Sequence, residues 1–315
     1  MLSRFVPGPL VRFFARPYVA GSSVDAALDC AAKHWSRSGL DSTLDLLGED
    51  VQTQDQVDAN VEVYARTIRF SAQDTRFDGR RRPTVSVKPS AFTTGEPEDC
   101  VAPIRQLVEL AHAHDIAVTI DMEDRRWTDF TLAFATSLFA EGFDVGTVLQ
   151  TRLLRTPKDV ESIPAGMRVR LVIGIYPEPS EVALTHKPEM KARMLDCSEG
   201  LLARGARVEF ATHDEPVLER FAKELAPSAP DRCEVQMLLG VPRAEIQEKL
   251  LLGTFGCPVP VRLYVPFAMG WEDATAYLRR RMDESPSMIF LVLRNLFRPR
   301  RALQLPASVE GGSGS

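Results

Sequence analysis

Two basic side chains stand in or just after strongly apolar runs, where a charge needs a partner. Lys88 follows the run 85–87, and Arg170 lies inside the run 169–172. A buried cation is costly unless it meets an anion, and a buried guanidinium binds an acid, a phosphate or the edge of a flavin ring. The pattern predicts Arg170 as a functional residue and Lys88 as either half of a structural salt bridge or an anion ligand.

Three acids, Asp121, Glu123 and Asp124, follow the apolar run 117–120. Such a group permits a divalent metal site, but a helix cap in a solvated loop is the stronger interpretation, and no metal is predicted. Thr212 and His213 follow another run, 207–210. A hydroxyl and an imidazole at that place suit a ligand, although a lone histidine is more often structural.

Arg280 and Arg281 are adjacent, and Glu284 follows them. Neighbouring residues on a helix point about 100° apart, so both arginines reach one small anion only if the helix crosses above it. The alternative interpretation of this pair is a solvated basic face.

The elements that must position these residues are short β-branched runs that alternate with amphipathic segments. Seven strands are predicted, at 84–87, 117–120, 145–149, 169–172, 207–210, 233–238 and 261–265. Helices are predicted between them, at 101–114, 129–141, 188–204, 215–225 and 243–252. Repeated strand-helix units indicate either a β/α barrel or a doubly wound sheet.

Reactive side chains fall repeatedly at the carboxyl ends of these strands, at Lys88, Asp121, Gln150 and His213. A barrel gathers such ends into one mouth, whereas a doubly wound sheet favours a glycine-rich first turn, and no GxGxxG follows any strand. We therefore predict an α/β fold of the (β/α)8 TIM-barrel type, distorted because no eighth strand is evident.

Three parts are predicted along the chain. Residues 1–80, with helices at 26–35 and 44–70, form an N-terminal helical arm; residues 81–300 form the barrel that carries the cofactor and substrate site. Residues 301–315 form a disordered tail, because 311–315 is composed of glycine and serine like a flexible linker.

Composition narrows the function classes. The chain has 38 Lys and Arg against 43 Asp and Glu, a net charge of -5, which offers no general attraction for nucleic acid. Five cysteines without a CxxC pair indicate reduced thiols in the cytoplasm. The apolar run 288–293 is far shorter than the roughly 20 residues of a membrane-spanning helix. With its following arginines it favours either transient membrane contact or a core helix with a basic end.

An ordered series of fragments resembles the proline dehydrogenase family over residues 15–295. The matching segments are 18–21 (YVAG), 46–49 (LLGE), 85–88 (VSVK), 120–124 (IDMED), 148–150 (VLQ), 170–172 (RLV), 211–213 (ATH), 236–238 (QML), 262–266 (RLYVP) and 277–284. The resemblance implies a barrel that binds FAD, oxidises L-proline to 1-pyrroline-5-carboxylate in the first step of proline catabolism, and passes the electrons to a membrane quinone. It implies a cytoplasmic protein with peripheral contact at the inner membrane.

The resemblance also implies roles for individual residues. Asp121 and Arg170 form the catalytic pair, with Asp121 beside proline and Arg170 beside the flavin. Substrate binding is implied for Lys88, Leu238, Tyr264, Tyr277, Arg280, Arg281 and Glu284. Cofactor binding is implied for Met122, Gln150, Arg170, Ile173, Gly174, Ile175, Thr212, His213 and Gln236.

One departure from the family pattern concerns the cofactor segment. Ile173 stands where the family usually has lysine, and Ile175 where it has alanine, changes expected to weaken flavin binding or alter its potential. Two other functions stay open: a flavin barrel that oxidises another cyclic amino acid, and a non-catalytic binding or regulatory homologue. Tyr264 disfavours hydroxyproline, because hydroxyproline-oxidising relatives carry serine there.

Overall fold

The computed structural model describes residues 17–49, 51–79 and 81–270. Eight parallel strands close into a barrel in chain order. They are β1 Asp41–Leu46, β2 Thr84–Val87, β3 Val118–Ile120, β4 Val145–Gln150, β5 Arg168–Val172, β6 Arg207–Ala211, β7 Cys233–Leu238 and β8 Val261–Phe267. The predicted (β/α)8 barrel is confirmed, and β1 pairs with both β2 and β8 to complete the ring.

Helices cover the outside of the barrel between the strands. They are α1 Val24–Ser38, α2 Gln54–Gln73, α3 Val101–His112, α4 Thr128–Ala140, α5 Thr156–Ser162, α6 Lys187–Ala203, α7 Glu215–Arg220 and α8 Ala244–Leu251. A π-helical turn, Phe221–Leu225, continues α7. One buried cluster of apolar side chains from strands and helices forms the core between the two layers.

Local signals fix where the first two helices begin and end. The Ser23 hydroxyl accepts the Ala26 N–H at the start of α1, and Gly39, at φ 60°, ends that helix. Only glycine adopts this left-handed conformation without strain. Thr53 and Gln56 form a reciprocal capping box at the start of α2.

The predicted helix over 44–70 is wrong in its first part. Asp41–Leu46 is β1, the strand that was missing from the seven predicted ones, and α2 begins only at Gln54. The barrel therefore starts within the segment that we assigned to the helical arm, and its boundary lies near residue 41 rather than 81. All six residues of β1 are buried, because alternate side chains point into the barrel and the others pack against the helices. The predicted tail, 301–315, lies outside the described residues.

Polar and charged side chains form much of the lining of the barrel interior. Arg170 of β5 reaches Gln236 of β7 and Ser86 of β2, and Arg168 reaches Glu209 of β6. The two Arg170 contacts join strands that are not neighbours in the barrel, so they cross its interior. Alternate residues of each strand therefore point inward. The outward residues of the strands pack against the helices.

Candidate active site

Asp121 is the centre of the polar cluster at the carboxyl ends of the strands. Its Oδ1 accepts hydrogen bonds from Arg170 Nη1 at 2.5 Å and from Ser86 Oγ at 2.7 Å, and its Oδ2 accepts one from Tyr264 OH at 2.7 Å. Asp121 directly follows β3, and its backbone N–H bonds the carbonyl of Val87 on β2. Four elements therefore fix one carboxylate.

The pKa of Asp121 is lowered from its ordinary value. Burial alone would raise the pKa, but the charges of Arg170 and Lys88 and the two hydroxyl hydrogen bonds outweigh burial. Asp121 thus stays ionised across the neutral range. An ionised carboxylate stabilises neighbouring positive charges and has no proton to donate.

Lys88 lies among three carboxylates. Its Nζ contacts the Asp45 carboxylate directly, is 3.4 Å from Glu49 and is 3.9 Å from Asp121. The Tyr264 hydroxyl accepts a further hydrogen bond from Nζ at 3.4 Å. Burial works against the ammonium, yet the surrounding charges raise the pKa of Lys88, so the side chain stays cationic. The predicted salt bridge is present, and it coexists with a place in the candidate site.

Asp45 supplies the most buried of these carboxylates. Burial raises the pKa of Asp45 to about 7, against the opposing charge of Lys88. Sequence reasoning missed both Asp45 and Ser86 as site residues. The available signals were the polar residues at every second position of 41–45 and the place of Ser86 two residues before Lys88 on the same face of β2.

Arg170 is buried and lies between the mouth and the deeper part of the barrel. Its Nε donates to Gln236 Oε1 at 2.6 Å, and its guanidinium carbon is 4.9 Å from the Tyr264 ring centre. Its Nη2 is buried and has no hydrogen-bond partner in the described ranges 17–49, 51–79 and 81–270. The prediction that Arg170 needs an acidic partner is met by Asp121, and one donor is left over.

Four of the residues assigned to the cofactor, Gln150, Ile173, Gly174 and Ile175, lie at or just after the ends of β4 and β5. Gln150 Nε2 donates to the carbonyl of Glu123 at 2.7 Å. Its Oε1 is buried, and no described residue forms a hydrogen bond with it. Gly174 has φ 101°, and a Cβ there would come within 2.6 Å of Gln150 Oε1. Glycine is therefore required beside Gln150. Ile173 packs against the core, whereas Ile175 is 47% exposed.

His213 is committed to a local contact. Its Nε2 accepts the Leu238 N–H at 3.0 Å, so the ring proton of the neutral imidazole is on Nδ1. Burial and the charge of Arg243 lower the pKa of His213 to about 4. The Thr212 hydroxyl accepts the Asp214 N–H at 3.2 Å. These contacts involve His213 Nε2 and the Thr212 hydroxyl and do not involve His213 Nδ1.

Tyr264 and Leu238 are register partners on β8 and β7, so the two proposed walls of the substrate site are adjacent. Met122, the residue after Asp121, is buried. Tyr277, Arg280, Arg281 and Glu284 lie outside the described residues.

The acids after β3 have separate partners. Glu123 accepts from the Ser90 N–H at 2.8 Å, and Asp124 accepts from the Arg126 N–H at 2.9 Å as a helix cap. Asp121 pairs with Arg170. Each of the three acids, Asp121, Glu123 and Asp124, therefore has a hydrogen-bond partner within the protein. Among the residues that the structure describes, no group of three or more His, Cys, Asp or Glu is arranged to hold a metal ion.

No helix in the described ranges is long and apolar enough to cross a membrane.

Comparison with known proteins identifies one family. The sequence model described as Proline dehydrogenase matches residues 28–288. Proline dehydrogenase 1 of Bacillus subtilis strain 168 is 28% identical over 302 residues, which cover 94% of this chain and 95% of that protein. Proline dehydrogenase of Deinococcus radiodurans is 28% identical over 293 residues, covering 90% of each.

Solved structures share the fold. Proline utilization A from Bdellovibrio bacteriovorus, inactivated by N-propargylglycine, superposes with a TM-score of 0.76 at 23% identity, over 96% of this chain. A mutant of proline utilization A from Bradyrhizobium japonicum gives a TM-score of 0.70 at 22% identity, over 91% of this chain. This chain spans about a third of the length of those two proteins, 36% and 32%.

Proposed function

This chain belongs to the proline dehydrogenase family and is an oxidoreductase, and we propose that it converts L-proline to 1-pyrroline-5-carboxylate with FAD as cofactor. The observation that carries the proposal is the cluster of Asp121, Arg170, Lys88 and Tyr264 at the barrel mouth. When bound, the flavin supplies the redox chemistry by accepting a hydride from the proline ring. The residues of the chain would bind and orient the proline and the cofactor, and they would compensate the charge that develops during the reaction.

Two buried polar atoms support a fit to FAD. Arg170 Nη2 is a donor and Gln150 Oε1 is an acceptor, and neither has a hydrogen-bond partner among the residues that the structure describes. Buried polar groups are rarely left unsatisfied, and a flavin ring edge offers both an acceptor and a donor. We assign cofactor binding to these two residues together with Met122, Gln236, Thr212, His213 and the backbone of 173–175.

Each remaining side chain has a task that its surroundings suit. Arg170, held by Asp121, would place a fixed positive charge where negative charge develops on the cofactor, which is the kind of preorganised electrostatics that lowers barriers. Lys88 would bind the proline carboxylate, with Arg280 and Arg281 as the main clamp and Glu284 to orient them. Tyr264, Leu238 and Tyr277 would enclose the ring, and orientation of this kind removes entropy from the barrier.

The electron acceptor that we propose is a membrane quinone. The support is the family membership and the series of arginines at 294–301, next to the apolar run 288–293, which suits transient contact with a membrane surface. Proline-dependent reduction of NAD by the pure enzyme would contradict this part of the proposal, whereas reduction of a soluble quinone supports it.

One measurement tests cofactor and substrate together. The purified protein should show flavin absorbance bands, and anaerobic L-proline should bleach them while 1-pyrroline-5-carboxylate forms in equal amount. Hydroxyproline serves as the control substrate and should bleach the bands far more slowly, since Tyr264 restricts the site. A protein without flavin, or a bound flavin that proline leaves oxidised, would refute the proposal and favour a non-catalytic homologue or another cyclic amino acid.

A further inference from the structure

A chain of hydrogen bonds leads from Arg170 to a carboxylate deeper in the barrel. Gln236 accepts from Arg170 Nε at 2.6 Å and donates through its Nε2 to Glu234 Oε1 at 3.0 Å. Glu234 and Gln236 are two residues apart on β7, so both side chains point into the barrel. The two ends of one amide thus join the candidate site to Glu234.

Glu234 is itself held rigidly. Arg262 donates to its two oxygens, from Nε at 2.7 Å to Oε1 and from Nη2 at 3.1 Å to Oε2. This two-point pair is the geometry that arginine and carboxylate favour. Burial raises the pKa of Glu234, but Arg262 and the Gln236 hydrogen bond lower it further than burial raises it, so the carboxylate is an acceptor only. Gln236 must therefore present its NH₂ to Glu234 and its carbonyl to Arg170.

A competing acceptor makes this orientation matter. Glu209 Oε2 lies 4.0 Å from Arg170 Nε; this oxygen is buried and has no hydrogen-bond partner in the part of the chain that the structure describes. Arg170 and Glu209 are register partners on β5 and β6. If the Gln236 carbonyl turned away, Arg170 Nε would face an amide NH₂ on one side and the unpaired Glu209 oxygen on the other. The guanidinium would then turn toward Glu209 and away from Asp121.

We propose that Glu234 is a positioning residue: by fixing the orientation of the Gln236 amide, it keeps the Arg170 guanidinium turned toward Asp121 and the flavin. The proposal deepens the proposed function, on which it rests. Glu234 is assigned to neither substrate nor cofactor, and its proposed effect on Arg170 passes through Gln236.

The test uses variants at position 234 and a control at Asp41. Glu234→Met removes the acceptor, Glu234→Asp withdraws the carboxylate by one methylene, and Glu234→Gln loses the charge but keeps an oxygen for the Gln236 NH₂. Asp41→Leu is the matched control. Asp41 Oδ2 is 3.4 Å from Arg262 Nη2 and 3.3 Å from Arg81 Nη1, whereas the Gln236 amide bonds Arg170 and Glu234. Asp41→Leu removes an acidic partner of the same Arg262.

The first measurement does not depend on activity. With ¹⁵N-labelled arginine, the Arg170 Nε–H resonance is identified by its loss in Arg170→Lys. We expect a slowly exchanging, shifted resonance in the wild-type protein, in Glu234→Gln and in Asp41→Leu. Glu234→Met and Glu234→Asp should move it and speed its exchange with solvent by tenfold or more.

The second measurement is anaerobic flavin reduction by proline. We expect Glu234→Met and Glu234→Asp to lower the limiting rate of reduction on the order of tenfold, with the proline concentration for half-maximal rate changed less than threefold. Glu234→Gln should stay within threefold of wild type. If Glu234→Met does not fold, Glu234→Asp carries the test.

Either of two results would overturn the positioning role. One is Glu234→Asp behaving like Asp41→Leu in both measurements; the other is Glu234→Gln as impaired as Glu234→Met, which would show that the charge at position 234 matters and the oxygen that accepts from the Gln236 NH₂ does not. Failure of wild-type flavin to be reduced by proline would instead refute the proposed function. The resonance of Arg170 would still decide whether Glu234 fixes it.

Discussion

Replacing Lys88 by methionine should make the free energy of unfolding keep falling as the pH rises above 7, where that of the wild-type protein levels off. The side chains of Lys88 and Asp45 are 14% and 1% exposed, so the substitution leaves a buried carboxylate without its cation. Breaking one side of a buried ion pair typically costs about 3–5 kcal/mol. Methionine keeps a similar length, so packing is conserved.

The pH dependence follows from the pKa of Asp45, which is about 7 beside Lys88 against 3.8 as its ordinary value. Between these values the folded protein holds a proton that the unfolded chain has lost, so wild-type stability falls as pH rises toward 7 and then levels off. Without Lys88 the pKa of Asp45 moves above 7, and the decline continues. The variant should lose about 1.4 kcal/mol per pH unit relative to wild type in that window.

The assay is urea unfolding at pH 6.5, 7.5 and 8.5 with the same saturating FAD, which stabilises both proteins equally because Lys88 is not assigned to the cofactor. The deficit of Lys88→Met should grow by about 2 kcal/mol from pH 6.5 to 8.5. Lys249→Met is the control, since Lys249 pairs with Glu215 at 2.8 Å on the surface, and its deficit should be small and flat. A flat deficit in Lys88→Met would refute the reasoning, and Asp45→Asn in the same background should abolish the slope.

Three further expectations concern the cofactor and the substrate. Gly174→Ala should lower flavin content and destabilise the protein by about 1–3 kcal/mol, because its Cβ would strike Gln150 Oε1; Gly142→Ala, at φ 96° with nothing within 4 Å, should keep normal flavin content as measured by absorbance. Acid precipitation should release all flavin, since no covalent attachment is expected, and colour in the pellet would contradict this. Arg280→Met and Arg281→Met should each weaken proline affinity about ten- to a hundredfold, as expected for the loss of a charge-assisted contact, and should keep normal flavin content. Anaerobic titration with proline measures the affinity. Unchanged affinity in both variants would mean that the two arginines belong to a solvated face.

The repeating part of the fold was readable from the sequence because its strands are short and β-branched. The runs 84–87 and 233–238 are strands with the predicted bounds. β1 was missed because the sequence of 41–46 is DSTLDL, where polar residues at 41, 43 and 45 weaken the apolar signal. In a barrel with a polar interior, those positions point inward, so the alternation itself was the strand signal.

The site was predictable as a set of strand ends but not as a set of pairs. Lys88 and Asp121 come together because a barrel brings the carboxyl ends of all strands to one mouth, and Arg170 reaches Asp121 from the middle of β5. Which of them bond depends on the depth and layering of side chains across the barrel, as in the contact between Arg170 and Gln236. That information is not contained in the order of residues along one strand.

The charges around Lys88 indicate which groups should dominate recognition of the proline carboxylate. Lys88 is already shared by Asp45 and Glu49, and Arg170 is paired with Asp121. A carboxylate that approaches Lys88 therefore meets a cation whose charge is largely compensated, and repulsion from the neighbouring acids offsets much of the attraction. The resemblance places Arg280 and Arg281 at the same substrate group. If they form the clamp, either arginine variant should weaken proline binding more than Lys88→Met does, when the three are titrated side by side at pH 7.5. The reverse order would make Lys88 the principal ligand, and it would mean that Asp45 gives up its contact with Lys88 when proline binds.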